Sequence, residues 1–410
     1  MTATQPGRAG RAPRTPRPAA AEPGPPGGRG RHSHDLRYSD AEEQLRAAVR
    51  DLLSDRSPWT AVLARVESSE PTDTALWHTM AAELGCAGLL VPESHGGAGA
   101  SYREAAVVAE ETGRSVAPVP YLGSAVVATV ALLGTGDELL SGLAAGRTTA
   151  ALAVEFARVP PGSGTAQPYG VRVGSPRPAD EAGTTRLTGS VAGVADALAA
   201  DVLLVPADGV PFGLYAVDAR APGVSLAPVV SLDATRPLAD LTLDGVPARP
   251  VLMGESASRA VAAALTAGAA MLASEQLGVA ERCLEMTVAY VKERRQFARP
   301  VGSFQVLKHR LADVWVAITQ ARAAARYAAA CLSEGDPDTQ VAVALAKAAC
   351  GDTAVHAAQE CVQLHGGIGF TWEHPPHLLL KRAKSGSLAF GSPDRHRAVL
   401  AGLVGLPPAP

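Results

Sequence analysis

Six positions in the last third of the chain have types and spacing that bear on chemistry: Arg294, Phe297, Gln305, Gln363, Gly366 and Gly367. Arg294 ends a long helical stretch, three residues before Phe297 and six before the breaker Pro300. A permanently charged planar fork beside a chain break suits a diphosphate clamp. Taken alone, it better suits a cation that complements the C-terminal dipole of a helix. Gln305 and Gln363 are amides on or beside helices, and singly they read as capping or surface groups. Gly366, Gly367 and Gly369 either allow a ligand close to the backbone or make a turn between helices. The chemistry would be cofactor holding rather than nucleophilic or metal catalysis. The five cysteines, Cys86, Cys283, Cys331, Cys350 and Cys361, lack metal-ligand spacing and read as reduced thiols of a cytoplasmic protein.

Helices must carry these residues. Ala257 to Glu293, Phe304 to Ser333 and Asp338 to Leu364 are long stretches with few breakers, apolar enough for a bundle or a subunit interface. Upstream, Ser39 followed by Asp40, Glu42 and Glu43 caps a first helix. Further helices are expected near Thr74 to Leu84, Tyr102 to Gly113 and Gly123 to Leu133, with a short extended piece and glycine loop from Ala87 to Ala100. Between about 148 and 252 the period changes to short β-branched runs punctuated by Gly, Pro and Asp. Expected strands are Ala150 to Phe156, Thr185 to Leu187, Val202 to Val205, Phe212 to Val217, Gly223 to Pro228 and Leu238 to Leu243. The fold class is therefore α+β. It divides into a disordered tail (1–36), an N-terminal helical domain (37–147), a central antiparallel β domain (148–253), a C-terminal four-helix bundle (254–404) and a short tail (405–410). Residues 1 to 31 contain six Arg, seven Pro and six Gly with no apolar stretch, too little to offset ordering entropy and no signal-peptide core. A net charge of −3 gives no electrostatic case for nucleic acid or an anionic membrane. No run of 18 apolar residues suggests a membrane span.

The order of the motifs is more specific than any one of them. Arg294 and Phe297 come first, then Phe304 and Gln305, then Leu311 to Asp313, then Gln363 to Thr371. With Leu89 to Gly99, Leu232 to Arg236, Leu241 to Pro247 and Ser274 to Ala280, they make residues 37 to 404 resemble the acyl-CoA dehydrogenases. That resemblance implies an N-terminal helical domain, a β domain and a four-helix bundle. It implies FAD shared between subunits and α,β-dehydrogenation of an acyl-CoA thioester. Arg294 would contact the diphosphate of a neighbouring subunit's FAD, Gln305 its adenosine part, and Gln363, Gly366 and Gly367 the same half-site. Phe297 and Ser392 are further cofactor positions by resemblance.

The family's catalytic carboxylate is where this chain departs. Its usual position corresponds to Phe390, within Leu388 to Asp394. Its alternative, 26 residues before the clamp arginine, corresponds to Gly268. Neither can take a proton. Glu275, seven residues after Gly268, is the nearest acid on roughly the same helix face and could serve as a displaced base or be a buried partner of an arginine. Asp394 and Glu373 are further acids. Gly193 and Ala195 stand where relatives carry an aromatic behind the flavin and a hydroxyl near N5. The resemblance therefore implies one of three things. The chain could lend half of the FAD site to a paralogous catalytic subunit, as in bacterial heteromers acting on steroid side chains and other bulky acyl groups; Thr371 to Arg382 resembles that subgroup. It could be a homomeric enzyme using Glu275, or a non-catalytic binding or scaffold relative.

Overall fold

The computed structural model describes residues 1–2, 34–160, 167–174 and 185–406. The expected tails at 1–36 and 405–410 lie mostly outside the described residues. Leu36 to Pro410 forms one unit, which is the subject below.

Ser39 begins the fold as the sequence requires. Its hydroxyl accepts the Glu42 N–H, and the Glu42 carboxylate accepts the Ser39 N–H at 2.6 Å, a reciprocal capping box that opens α1 (Asp40–Arg56). After α2 (Trp59–Val66) and α3 (Thr74–His78), a π turn over Thr79–Glu83 closes at Gly85. The segment Ala87 to Ala100 is not extended. It forms 3-10 turns at Cys86–Gly88 and Glu93–His95. Its own glycine loop folds back over it, so Ala98, Gly99 and Ala100 donate to the carbonyls of Gly88, Val91 and Leu89 at 2.8–2.9 Å. A buried apolar run satisfied this locally needs no sheet partner. Then come α4 (Tyr102–Arg114), a π segment (Tyr121–Ala128), α5 (Thr129–Leu132) and α6 (Leu139–Ala144).

The middle of the chain is a seven-stranded sheet. Its strands are β1 (Ala150–Leu152), β2 (Val171–Gly174), β3 (Thr185–Ala195), β4 (Val202–Ala207), β5 (Gly213–Asp218), β6 (Val224–Val229) and β7 (Leu238–Met253). The order is β1-β4-β5-β7-β3-β2, with β6 also on β7. All pairings are antiparallel except β1 with β4, which is parallel. Strand β7 runs much further than its apolar start predicts, pairing first with β3 and β6 and then, past a register shift, with β5. Strand β1 stops at Leu152, which frees Phe156 to turn towards the helices.

Three long helices follow: α7 (Gly254–Glu293), α8 (Gln305–Glu334) and α9 (Thr339–His365). A two-strand hairpin, β8 (Arg295–Gln296) and β9 (Arg299–Pro300), joins α7 to α8. The shorter α10 (Pro376–Leu388) and α11 (Pro393–Leu403) complete the bundle. Two helical segments, Gly254–Glu293 and Thr339–Phe370, are long and apolar enough to cross a membrane, but their apolar windows are 78% and 67% buried in the fold. They are the bundle's interior. The five cysteines are all free and buried.

Candidate functional site

Two places on this scaffold bear on chemistry, an open groove at the end of α7 and a closed one between the sheet and the bundle.

The open groove has a volume of about 700 Å³ and is lined by Arg294, Gln363, Gly366 and Gly367 among others. Arg294 is the residue at which α7 ends, its N–H bonded to the Tyr290 carbonyl. Among the described residues its guanidinium has no hydrogen bond or ion pair. A Cβ built on Gly366 or Gly367 would meet nothing within 4 Å, so their backbone is open to the groove. A guanidinium without a partner among the described residues, in one groove with bare glycine backbone, fits a diphosphate. The wall contains side chains the motif reading passed over. Arg310 is held by both oxygens of Glu360 at 2.7 and 2.8 Å. Tyr290 stacks on His365 with centroids 4.4 Å apart, and His365 packs on His374 at 4.8 Å. His365 stood within the glycine motif, but nothing in the sequence showed that Tyr290, one turn before Arg294, would stack on it.

Three expected cofactor residues lie outside the groove lining. Gln305 opens α8, its amide 3.3 Å from His309. Phe297 is 85% exposed at the tip of the β8–β9 hairpin. Ser392 caps α11, accepting the Arg395 N–H at 3.4 Å in the turn after Phe390.

The closed place contains both positions where relatives carry a base. Phe390 is 3% exposed and sits at φ 50°, a left-handed conformation rare for a bulky residue. Its backbone is fixed at both ends, with its N–H on the Phe156 carbonyl and its carbonyl on His396 Nε2, each at 2.8 Å. Its ring meets Phe156 edge-on, with centroids 5.5 Å apart. It also lies over Gly268, where a Cβ would come within 2.8 Å of Phe390 Cζ and 2.9 Å of Val127 Cγ2. The two candidate base positions are thus packed on each other. The residual cavity is about 20 Å³, lined by Leu122, Val127, Val154, Phe156, Ala195 and Asp196 among others. That is room for about one water. Gly193, at φ 59°, gives its N–H to Asp240, and its carbonyl accepts the Phe156 N–H. Neither an aromatic nor a hydroxyl faces the space from this side. The residues here do not fit an isoalloxazine ring or an acyl thioester.

Glu275 lies beside this plug, 3% exposed, in a buried ionic network. One oxygen accepts from Arg382 Nε at 2.8 Å and the other from Arg236 Nη2. Arg382 also donates to Thr235 Oγ1 at 3.0 Å and lies 3.5 Å from Asp233. The Arg236 guanidinium lies 5.4 Å from the Phe156 ring centroid. Burial alone would raise the Glu275 pKa, but the two guanidinium groups outweigh it and hold the carboxyl below its ordinary range. A carboxylate held this way is a poor general base, because abstraction would have to break charge-assisted bonds in a dry site. Of its two readings, displaced base and buried partner of an arginine, the geometry of Glu275 is that of the second. Asp394 pairs with Arg397 on the surface, and Glu373 is exposed.

A helical domain, a seven-stranded sheet and a long-helix bundle, with an open groove where α7 ends, make the three-part scaffold that the sequence motifs imply. Family models agree, with the acyl-CoA dehydrogenase N-terminal domain matching residues 39–164 and the C-terminal domain residues 258–404. The acyl-CoA dehydrogenase IpdE2 of Mycolicibacterium smegmatis is 32% identical over 87% of this chain and 96% of its own length. IpdE2 of Mycobacterium tuberculosis is 34% identical over 86% and 94%. Among solved structures, the Mycobacterium tuberculosis ChsE4-ChsE5 complex superposes with TM-score 0.80 at 26% identity, covering 92% of this chain and 100% of the matched one. A Tcur3481-Tcur3483 steroid ACAD variant gives TM-score 0.77 at 30% identity, covering 89% and 98%. The chain belongs to the acyl-CoA dehydrogenase family, flavoprotein oxidoreductases that act on CH–CH bonds.

Proposed function

We propose that this chain is the half-site subunit of a heteromeric FAD-dependent acyl-CoA dehydrogenase, working beside a paralogue that carries the base and the flavin cradle. The observation that carries this reading is the packing of Phe390 on Gly268, which fills the chain's own reaction space with hydrocarbon. When bound, FAD accepts the β-hydrogen of the acyl chain as hydride. In this reading Arg294 and the Gly366–Gly367 backbone bind the diphosphate, Gln363 lines the same half-site, and Gln305 and Phe297 extend the contact at the subunit boundary. Ser392 would contribute on its own side of the fold. No residue of this chain moves the substrate's protons. Two of the superposing structures are named as pairs, ChsE4-ChsE5 and Tcur3481-Tcur3483, and the second is titled a steroid enzyme. A bulky, steroid-derived acyl-CoA is accordingly the substrate class proposed for the assembled enzyme, in the cytoplasm.

The test is expression of the chain alone and together with a paralogue that has a glutamate at the usual base position. Alone, it should carry little flavin and show no dehydrogenase activity, and the pair should be yellow and active. Full turnover by the isolated chain would sink the proposal and revive the homomeric alternative, in which Glu275 or another acid must serve as base.

A further inference from the structure

A second pocket, far from the flavin groove, remains without a role. It has a volume of about 250 Å³ and lies where the C-terminal ends of α1 and α4 meet the start of α2, the start of α10 and the middle of α7. Three arginines line it: Arg50, Arg114 and Arg282. Two are neutralised. Arg50 forms a two-point pair with Glu111 at 2.6 and 2.9 Å, and Arg114 forms one with Glu285. Arg282 has no hydrogen bond or ion pair of its own among the described residues. Burial and the neighbouring Arg114 both hold its pKa below the usual arginine value. Glu285 also favours the charge on Arg282, so the three guanidinium groups with Glu111 and Glu285 leave a local excess of one positive charge.

The neutral groups around it are donors without acceptors. Ser57 is 5% exposed and lines the pocket, and its hydroxyl makes no hydrogen bond among the described residues. Ser54 and Ser115 line it too, and their hydroxyls make no hydrogen bond among the described residues. Pro58 and Trp59 bring the N-terminus of α2 to the wall, where the first-turn amides of Trp59 and Thr60 have no intrahelical acceptor. Val116, on the opposite side, is held at φ 44°, a strained conformation for a β-branched residue. Guanidinium groups, a buried hydroxyl and the amides of a helix N-terminus are donors of the kind that hold an oxyanion. The volume is below the roughly 300–1,000 Å³ of ordinary small-molecule sites.

We infer that this pocket is a phosphate site, with Arg282, Ser57 and the α2 N-terminus as its donors. It binds either free phosphate or the phosphate monoester of a nucleotide. It does not depend on the flavin reading, since Arg282 and Arg294 stand about 18 Å apart along α7 at 1.5 Å per residue.

Calorimetric titration of the full chain, in the form in which it purifies, tests this. Sodium phosphate is compared with sodium chloride at matched ionic strength, and 3′-phosphoadenosine is titrated in parallel. Saturable one-site phosphate binding is expected, weakened at least tenfold in Arg282→Gln and severalfold in Ser57→Ala. Arg294→Ala should leave it within twofold of the parent. The unfolding midpoint without phosphate should be unchanged in Arg282→Gln, and Ser57→Ala decides the matter if that variant does not fold. Tighter binding of the nucleotide than of phosphate, lost in the same variants, would assign the site to a nucleotide's phosphate. Equal binding would assign it to the free ion. Absence of saturable phosphate binding, or unchanged affinity in both Arg282→Gln and Ser57→Ala, overturns the inference.

Discussion

Glu275 holds its charge where water does not reach, and only two guanidinium groups make that tolerable. Removing one member of such a buried set leaves the others uncompensated, which typically costs about 3–5 kcal/mol. Glu275→Gln should therefore lower the unfolding midpoint sharply, measured by thermal or denaturant melting. A displaced catalytic base would behave oppositely, folding normally and losing only turnover. The pH dependence has a definite sign. Because the folded pKa is depressed, the stabilisation from Glu275 is fully present above the unfolded carboxyl value of about 4.3 and is lost as pH falls through the lower folded value. Denaturant midpoints from pH 7 down to pH 3 should show that loss, and Glu275→Gln should lack this contribution to it. Phe390 answers to packing instead. Phe390→Ala should cost about 3–5 kcal/mol by opening a cavity between Gly268 and Phe156, while leaving flavin content in the assembled enzyme intact. That the two usual base positions hold residues unable to take a proton was readable from the identities of Phe390 and Gly268 alone. Their contact was not, because it depends on the turn after α10 meeting α7; that Glu275 could pair with an arginine was legible, but its particular partners were not, since they come from the loop before β7 and from α10.

The helices depend on each other through glycine. Where α4 crosses α7, a Cβ on Gly278 would lie 1.9 Å from the Glu110 carbonyl oxygen, and one on Gly113 would lie 2.1 Å from that of Glu275. Backbone atoms cannot yield as a flexible side chain can, so Gly278→Ala must push the two helices apart. Its loss of stability should exceed the roughly 1–3 kcal/mol of ordinary overpacking. Gly402→Ala in α11 is the control, since nothing lies within 4 Å of that position. There the alanine should be neutral or stabilising by up to about 1 kcal/mol through helix propensity. Chemical denaturation of the two variants checks both. In the sequence these glycines read as weak points in otherwise good helices, because a one-dimensional pattern shows a propensity penalty but no neighbour. The same limit applies to Leu89, Leu90 and Val91. A short apolar run cannot reveal that its own downstream loop will satisfy its carbonyls, so the expected extended piece is a pair of 3-10 turns. The long helices and the position of the sheet between them were legible, since their periods persist over many residues.

At the scale of the molecule, the proposed half-site role needs a surface for another chain, and the bundle exposes aromatic side chains near its groove. The β8–β9 hairpin turns through Phe297 and Ala298, both at positive φ (52° and 61°), where Asn and Gly are the usual residues. Its tip presents an exposed phenyl ring. Phe370 and Trp372, just beyond the groove's glycines, are 72% and 54% exposed. Under the proposed function these rings, with an arginine that has no partner among the described residues, would be covered by the paralogue. If a paralogue's flavin is what Arg294 reaches, each pair of chains should hold one FAD, because this chain's own cavity of about 20 Å³ has no room for a second. Absorbance of the purified complex should give about 0.5 flavin per chain, where a homomeric relative with every cradle intact would give about 1. Arg294→Ala then removes charge-assisted bonds worth about 1.5–3 kcal/mol, so FAD should bind roughly 10- to 100-fold more weakly, read by flavin release on dilution. The subunits should remain associated, since Arg294 reaches the cofactor rather than the partner's backbone. Half-stoichiometric flavin that is insensitive to Arg294 would mean that the partner holds its cofactor alone, and the groove would then need another occupant.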